Sequence, residues 1–128
     1  MPRIGIMGGT FNPIHTGHLI IAQQTLIRLK LDKIWFMPAG NPPHKAAPVI
    51  DGELRRRMVE LAIEGNPDFE LFDYELKNDR PSYSAMTMTE LDEAYPENEF
   101  YFIMGADSLM DFHKWYHPEI ICAHTKLV

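Results

Sequence analysis

The stretch that decides the fold is residues 3–19, RIGIMGGTFNPIHTGHL. Its first part, with Ile4 and Ile6, is a short apolar run typical of a strand buried on both faces. A loop with glycines follows and leads directly into a helical pattern. The first turn of a helix leaves backbone N–H groups unpaired and carries the positive end of the helix dipole, so anions bind there. The stretch therefore predicts a strand, a glycine turn and a helix start that together hold a phosphate.

Five residues of this loop are candidate phosphate contacts. Gly8 and Gly9 let the backbone approach a phosphate without a Cβ in the way, and Thr10 adds a hydroxyl donor. His15 on the loop and His18 at the first helical turn can each donate a hydrogen bond to a phosphate oxygen. We expect these groups to surround one anion.

The loop differs from the two best-known phosphate loops, and its histidines admit other interpretations. It contains neither Gly-x-Gly-x-x-Gly nor Gly-Lys-Ser/Thr, so it is neither the dinucleotide fingerprint nor a P-loop. A zinc site at the histidines needs three or four ligands, and Cys122 has no cysteine partner in the sequence. Histidines that only cap the helix or lie on the surface are the remaining alternative.

The composition is that of one globular domain. The chain has 128 residues, of which 45% are hydrophobic and 23% charged, and its net charge is -6. This acidic balance argues against a broad nucleic-acid or anionic-membrane surface, so any phosphate must be held by a local site. One cysteine excludes an intrachain disulfide, and no apolar run approaches the roughly 20 residues of a membrane span. We expect a cytoplasmic protein.

The rest of the chain alternates strand-like and helix-like patterns, which predicts an α/β fold with parallel strands and right-handed crossovers. Predicted strands are 34–37, 69–72 with an extension at 74–76, 100–104 and the segment from 125; predicted helices are 18–30, 53–64, 84–94 and 118–122. The apolar stripes expected to face the core are Leu19, Ala22, Leu26 and Leu29 on the first helix and Leu54, Met58, Leu61 and Ala62 on the second. Met86, Met88 and Leu91 are expected as core or semi-core residues of the third.

Further candidate contacts follow the predicted strands, because ligands of open α/β sheets bind at the carboxyl ends of the strands. The proline-rich segment 38–52 presents His44 and Lys45, either as substrate contacts or as part of a solvated loop. Among Arg55, Arg56 and Arg57 at a helix start, at least one is expected to have an anion partner, although a solvated run is the commoner case.

The segment after the strand at 100–104 holds the last candidates. Asp107 is placed to accept hydrogen bonds from ribose hydroxyls, or alternatively to cap a helix. Trp115 and Tyr116 belong to an aromatic cluster that either stacks on a planar ring or packs its loop against the domain.

Residues 8–18 resemble the signature of the nucleotidylyltransferase superfamily, Gly-Gly-Thr-Phe-Asp-Pro-x-His-x-Gly-His, with Asn12 where the family usually has Asp. Later segments resemble successive landmarks of bacterial nicotinate-nucleotide adenylyltransferases: residues 34–38, 42–45, Arg55, 81–84, 102–107 and 114–116. Met86 stands where this family generally has Asp.

The resemblance implies a Rossmann-like open parallel sheet with helices on both faces. It implies transfer of AMP from ATP to nicotinate mononucleotide, giving nicotinate adenine dinucleotide and pyrophosphate, with Mg²⁺ held mainly by the ATP phosphates. By similarity, the catalytic residues are His15 and His18; the ATP-binding residues are Gly8, Gly9, Thr10, Phe11, Gly105 and Asp107; and the substrate-binding residues are His44, Lys45, Arg55, Ser84, Trp115 and Tyr116.

The family pattern continues beyond this chain to an Ile-Ser-Ser-Thr-x-x-Arg segment over the ATP phosphates. We therefore expect residues 1–128 to be a single nucleotidylyltransferase domain that is incomplete at its C-terminus. The sheet edge exposed in this way predicts either poor stability or edge-to-edge association of copies into a homo-oligomer. Two alternatives stay open: a catalytically silent nucleotide-binding fragment, and a sibling transferase for another phosphorylated acceptor or for CTP.

Overall fold

The fold is taken from a computed structural model that describes residues 2–9, 11, 14–39, 52–77, 84–104 and 118–127. Within these ranges we number the elements in chain order: β1 (Arg3–Gly9), α1 (Thr16–Arg28), β2 (Lys33–Pro38), α2 (Gly52–Ile63), β3 (Phe69–Leu71), a 3₁₀ helix (Tyr74–Lys77), α3 (Ser84–Ala94), β4 (Glu99–Ile103), α4 (Pro118–His124) and β5 (Lys126–Leu127).

The strands form one parallel sheet in the order β3-β2-β1-β4-β5. β1 lies at the centre and pairs with β2 on one side and β4 on the other. The chain moves outward from β1 through β2 to β3 and then returns to the opposite side of β1. In sheets of this kind, a crevice opens at the carboxyl ends of the strands where the order reverses, here between β1 and β4.

Helices cover both faces of the sheet. Successive strand residues point to opposite sides, so each face presents its own set of apolar side chains for helices to bury. Ile34 and Phe36 of β2 point to the face covered by α1 and α2, whereas Met37 points to the face covered by α3 and α4. The first core also contains Ala22 and Leu26, Val59 and Ile63, and Tyr101 and Ile103; the second contains Ile4, Ile6, Met88, Leu91, Phe100, Phe102 and Ile121. The predicted Rossmann-like sheet with helices on both faces is confirmed.

Two local differences from prediction concern where β1 and β3 end. Gly8 and Gly9 were expected in the loop, but they continue β1 and lie opposite Met37 and Pro38 of β2. The strand extension predicted at 74–76 is wrong, because the chain leaves the sheet after Leu71 and turns into the 3₁₀ helix.

Aromatic and polar packing explains the departure after β3. The Phe72 ring stacks on Trp35, with ring centroids 4.7 Å apart, and on Tyr74, with centroids 5.8 Å apart. The buried Glu75 carboxylate accepts a 2.6 Å hydrogen bond from Thr87 Oγ1 on α3. These contacts require the chain to turn out of the sheet after Leu71 so that Phe72 and Glu75 reach their partners, which a straight strand would not allow.

The apolar stripe predicted for α2 is also wrong in phase. Leu54 and Leu61 are 56% and 52% exposed, whereas Arg55, Val59 and Ile63 are the buried residues. This helix carries two neighbouring apolar lines, and an arginine lies on the one that faces the sheet. By contrast, the stripe predicted for α1 is confirmed, as are buried Met88 and Leu91 on α3.

The amino edge of the sheet, opposite the crevice, is held together by polar contacts of Arg3. Its guanidinium donates to the Tyr101 hydroxyl at 2.7 and 3.1 Å, and that hydroxyl donates to Glu99. The Arg3 backbone N–H donates to Asp32 Oδ2 at 2.7 Å, and the Asp32 N–H donates back to the Arg3 carbonyl. The Tyr101 hydrogen bond is the main cause of a raised Arg3 pKa. These contacts fix β1 against β4 and the start of β2.

No helix in the described ranges is long and apolar enough to cross a membrane.

Replacing the fully buried Ile34 by Ala should lower the free energy of unfolding by about 2–5 kcal/mol, because the change leaves a cavity beneath α1 and α2. Ile27→Ala is the matched control, since Ile27 is 64% exposed and the change should stay within about 0.5 kcal/mol of the parent. Urea unfolding followed by circular dichroism measures both. Equal losses in the two variants would contradict the assigned core.

Candidate functional site

The entrance to α1 is capped by two histidines. His15 is the N-cap, with extended backbone angles (φ −141°, ψ 175°), and its Nδ1 accepts the Gly17 backbone N–H at 3.1 Å. His18 lies one turn into the helix, and its Nδ1 accepts the His15 backbone N–H at 3.0 Å. This is the reciprocal arrangement of a capping box, built with imidazoles at both positions.

The two imidazole rings lie against each other, with centroids 3.9 Å apart and planes inclined by 31°. Two positive charges at that separation would repel by about 4 kcal/mol at an effective dielectric constant of about 20, and by about 1 kcal/mol in bulk water. Burial is the main cause of a lowered His18 pKa; the charge that His15 can carry lowers it further, and a smaller opposing effect comes from a backbone hydrogen bond with His15. The site therefore disfavours a doubly charged pair.

The buried Phe11 ring supports the His18 imidazole from the side of the core. Its ring packs edge-on against the His18 imidazole with centroids 5.0 Å apart, and it also contacts Phe36 of the core with centroids 6.1 Å apart. The residue is only 3% exposed, and it adopts a left-handed backbone with φ +50°, which is costly for a bulky side chain. Burial of the ring offsets that strain. Phe11 thus carries the loop into the core and supports the His18 ring.

Gly17 is needed for the cap because a side chain there has no room. A Cβ on Gly17 would lie 2.9 Å from Cε1 and 3.0 Å from Nδ1 of the His15 ring. Real Cβ atoms do not approach this closely, so the ring would have to move away from the Gly17 N–H that it caps. Gly17 was not among the predicted site residues, although it lies inside the quoted signature.

Gly8 and Gly9 bring the backbone to the carboxyl end of β1, directly before this entrance. Among the described residues, no atom lies within 4 Å of a Cβ placed on Gly9, whose φ of +157° is itself unusual for residues with side chains. A Cβ on Gly8 would lie 3.7 Å from Met37 Cε and 4.0 Å from Phe102 Cζ, which are ordinary contact distances. The described part of the chain therefore leaves room for a ligand beside the Gly9 backbone.

Arg55 joins the same edge from α2. It is only 1% exposed, and its Nη1 donates to the Ala39 carbonyl at 2.7 Å. The Ala39 N–H in turn donates to the Gly9 carbonyl at 2.8 Å. Two hydrogen bonds therefore connect a buried guanidinium with the last residue of β1, so Arg55 braces the segment that follows β2.

The other two arginines of the triplet have anion partners on the surface, which confirms that part of the prediction. Arg56 makes ion pairs with Glu53 and Glu60, each at 3.6 Å, and with Asp73 at 3.5 Å; Arg57 pairs with Glu60. Partly exposed pairs of this kind contribute little to stability. The alternative of three solvated arginines does not hold for Arg55, because that residue is buried.

The remaining site predictions fall outside the described residues. These are Thr10, His44, Lys45, Gly105, Asp107, Trp115 and Tyr116. Ser84 begins α3, and its side chain is likewise outside the description. The sequence analysis missed the buried hydrogen bond between Thr87 and Glu75. A single acidic residue and a single hydroxyl residue 12 positions apart form no motif that would predict their pairing. In the part of the chain that is described, no group of three or more His, Cys, Asp or Glu side chains could hold a metal ion.

A family model described as cytidylyltransferase-like matches residues 6–128. The chain belongs to the cytidylyltransferase-like family. The match begins within β1 and includes residues 8–18, the glycine-histidine loop on which the sequence-based prediction depended.

Two similar proteins carry names that agree with the predicted resemblance. The chain is 50% identical over 114 residues to a probable nicotinate-nucleotide adenylyltransferase of Shewanella pealeana, covering 89% of this chain and 53% of the relative. It is 49% identical over 129 residues to a protein of the same name from Clostridium tetani, covering all of this chain and 64% of the relative. The chain therefore spans between half and two thirds of these relatives' length.

Solved structures share the fold. A putative nicotinate-nucleotide adenylyltransferase from Vibrio parahaemolyticus matches with a TM-score of 0.81 and 23% identity, covering all of this chain and 76% of that one. The nicotinic acid mononucleotide adenylyltransferase of Plasmodium falciparum, in complex with NaAD, matches with a TM-score of 0.82 and 22% identity, covering 93% of this chain and 59% of that one.

Gly17→Ala should lower the free energy of unfolding by about 0.5–2 kcal/mol, the usual value of an N-cap, because the new methyl group displaces the His15 ring. In most helices Gly→Ala is stabilising, so the sign of the effect is itself diagnostic. Gly8→Ala is the control, since its Cβ fits at ordinary contact distances and should not destabilise the fold. A Gly17→Ala variant as stable as the parent in urea would refute the cap.

Arg55→Met should destabilise the protein by about 1–3 kcal/mol, because it leaves the Ala39 carbonyl without the guanidinium that bonds it. Arg57→Met, on the exposed side of the same helix, should change stability by less than about 1 kcal/mol. Thermal and urea unfolding distinguish the two. If both variants behave alike, Arg55 does not brace the edge.

Proposed function

We propose that this chain carries the nucleotide-binding and catalytic core of a nucleotidyltransferase that joins the AMP moiety of ATP to nicotinate mononucleotide. The observation that supports it most is the pair of imidazoles at the amino end of α1, placed at the carboxyl edge of the central strand. The identity of 50% and 49% to two proteins named probable nicotinate-nucleotide adenylyltransferase supports nicotinate mononucleotide as the acceptor. The products are nicotinate adenine dinucleotide and pyrophosphate.

The reaction needs no nucleophile from the protein. A phosphate oxygen of nicotinate mononucleotide forms a bond to the α-phosphorus of ATP as the bond from that phosphorus to the bridging oxygen of the β-phosphate breaks. Pyrophosphate leaves with the electron pair of that bond. Catalysis then consists of alignment of the two phosphates and stabilisation of the charge that spreads over the α-phosphoryl oxygens.

In this proposal the described residues have separate tasks. His15 and His18 donate hydrogen bonds to phosphoryl oxygens, and the N–H groups and dipole of the α1 amino end add to the positive potential there. Gly8 and Gly9 let the triphosphate approach the backbone. Phe11 contributes by holding the His18 ring, since its own side chain is buried.

The roles of the other residues stay predictions. Gly105 and Asp107, with Thr10, are proposed for ATP, and His44, Lys45, Ser84, Trp115 and Tyr116 for nicotinate mononucleotide. Arg55 braces the edge on which nicotinate mononucleotide would lie. A direct contact between Arg55 and this substrate also stays a prediction.

Mg²⁺ is the proposed cofactor, and it would neutralise part of the triphosphate charge. We propose that ATP phosphates supply most of its ligands, since Mg²⁺ is commonly bound by substrate phosphates together with one or two carboxylates.

The competing function is nucleotide binding without turnover. Binding of ATP without release of pyrophosphate would select it. Turnover with another phosphorylated acceptor, or with CTP, would instead select a sibling transferase.

The decisive assay is pyrophosphate release from ATP and nicotinate mononucleotide, carried out with the protein at its full encoded length. We expect turnover with nicotinate mononucleotide, and a loss of at least about a hundredfold in kcat for His18→Ala, because one donor to the transition state is removed. The circular dichroism spectrum should be unchanged. An unaltered rate in His18→Ala would remove His18 from the mechanism.

A further inference from the structure

We propose that His15 and His18 act as neutral imidazoles that divide their two ring nitrogens between tasks: each Nδ1 holds the backbone of the helix entrance, and each Nε2–H is the donor offered to phosphate. This inference rests on the proposed function for the nature of the ligand. The inference goes beyond the proposed function by assigning the tautomer and the charge of both rings.

The hydrogen bonds of the cap fix the tautomer. A backbone N–H can only donate, so the nitrogen that receives it must present a lone pair. Nδ1 of His15 receives the Gly17 N–H, and Nδ1 of His18 receives the His15 N–H. In a neutral imidazole with a bare Nδ1, the proton lies on Nε2. Both rings therefore carry their single proton on the nitrogen that faces away from the cap.

Protonation would break this arrangement at both rings. An imidazolium carries N–H groups on both nitrogens, so its Nδ1–H would point at the backbone N–H that it now accepts. The surroundings also disfavour the charge: His18 is partly buried against Phe11, and its ring lies 3.9 Å from that of His15. Burial and the charge that His15 can carry both lower the His18 pKa; a backbone hydrogen bond with His15 acts in the opposite direction and is the smallest of the three effects.

The consequence for phosphate binding is that the imidazoles supply aimed donors without a net charge. Two Nε2–H groups on adjacent rings suit an anion with several oxygens, such as a polyphosphate chain. The positive potential must then come from the amino end of α1 and from cations that accompany the nucleotide. A strong dependence on an imidazolium charge is not expected.

The first test is nitrogen NMR of ¹⁵N-histidine-labelled protein without ligand at pH 7.5, with the resonances of His15 and His18 assigned from single-residue variants. We expect both rings to show a bare Nδ1 and a protonated Nε2. A protonated Nδ1 on either ring, whether in the other tautomer or in an imidazolium, would overturn the proposal. This measurement is independent of ATP binding, so it stands even if the proposed reaction fails.

The second test separates the two nitrogens of His15 by substitution. Asn places its side-chain oxygen near the position of Nδ1 and can keep the cap, whereas Gln places an amide N–H near the position of Nε2. We expect His15→Asn to keep the unfolding midpoint of the parent and to lose at least about tenfold in ATP affinity, measured by calorimetry with Mg²⁺. His15→Gln should show the reverse: a lowered midpoint with ATP affinity within about threefold.

The outcomes of the substitution test separate the two proposals. Parental ATP affinity in His15→Asn, or an unchanged midpoint in His15→Gln, would overturn the division of tasks. If the parent protein itself does not bind ATP, the proposed function fails, while the NMR result and the two midpoints still decide the tautomer.

Discussion

The candidate site depends on a pair of reciprocal hydrogen bonds at the start of one helix. The Gly17 N–H is accepted by His15, and the His15 N–H is accepted by His18, so two backbone donors that would otherwise be unpaired are satisfied by imidazoles. Because those imidazoles are also the groups proposed to meet a phosphate, the chemistry of the site and the start of the helix are determined together. Gly17 makes room for the first ring, and Phe11 supports the second.

The sheet gives this cap its position. β1 lies at the centre of the strand order and ends at Gly9, where the chain turns toward α1. The hydrogen bonds from Arg55 to Ala39 and from Ala39 to Gly9 tie the ends of β2 and β1 together. At the opposite edge, Arg3 and Tyr101 connect β1 with β4. One edge of the sheet is thus fixed by structural contacts, while the other carries the candidate site.

Strong local patterns were enough to predict much of the fold. Apolar runs predicted β2 and β4, and the helical spacing of Leu19, Ala22 and Leu26 predicted the buried face of α1. The glycine-histidine loop predicted the helix entrance from its residue types and their spacing alone. Such features are local in sequence, so they can be read from one chain.

The features that the sequence did not reveal depend on contacts between distant segments. Nothing in the spacing of α2 indicated that Arg55 would be buried in place of Leu54, because the deciding partner is a backbone carbonyl 16 residues away. The bend into the 3₁₀ helix depends on Thr87, which meets Glu75 only once α3 has packed. The use of both Nδ1 atoms as acceptors likewise follows from backbone geometry that residue types do not specify.

The central claim is that the amino end of α1, with its two imidazoles, receives the triphosphate of ATP. A crystal structure of the protein with a non-hydrolysable ATP analogue tests it most directly. The account predicts phosphate oxygens at about 2.7–3.2 Å from Nε2 of His15 and of His18, with the α1 entrance otherwise undisturbed. A triphosphate bound elsewhere, with the two Nε2 atoms facing solvent or a protein side chain, would contradict it.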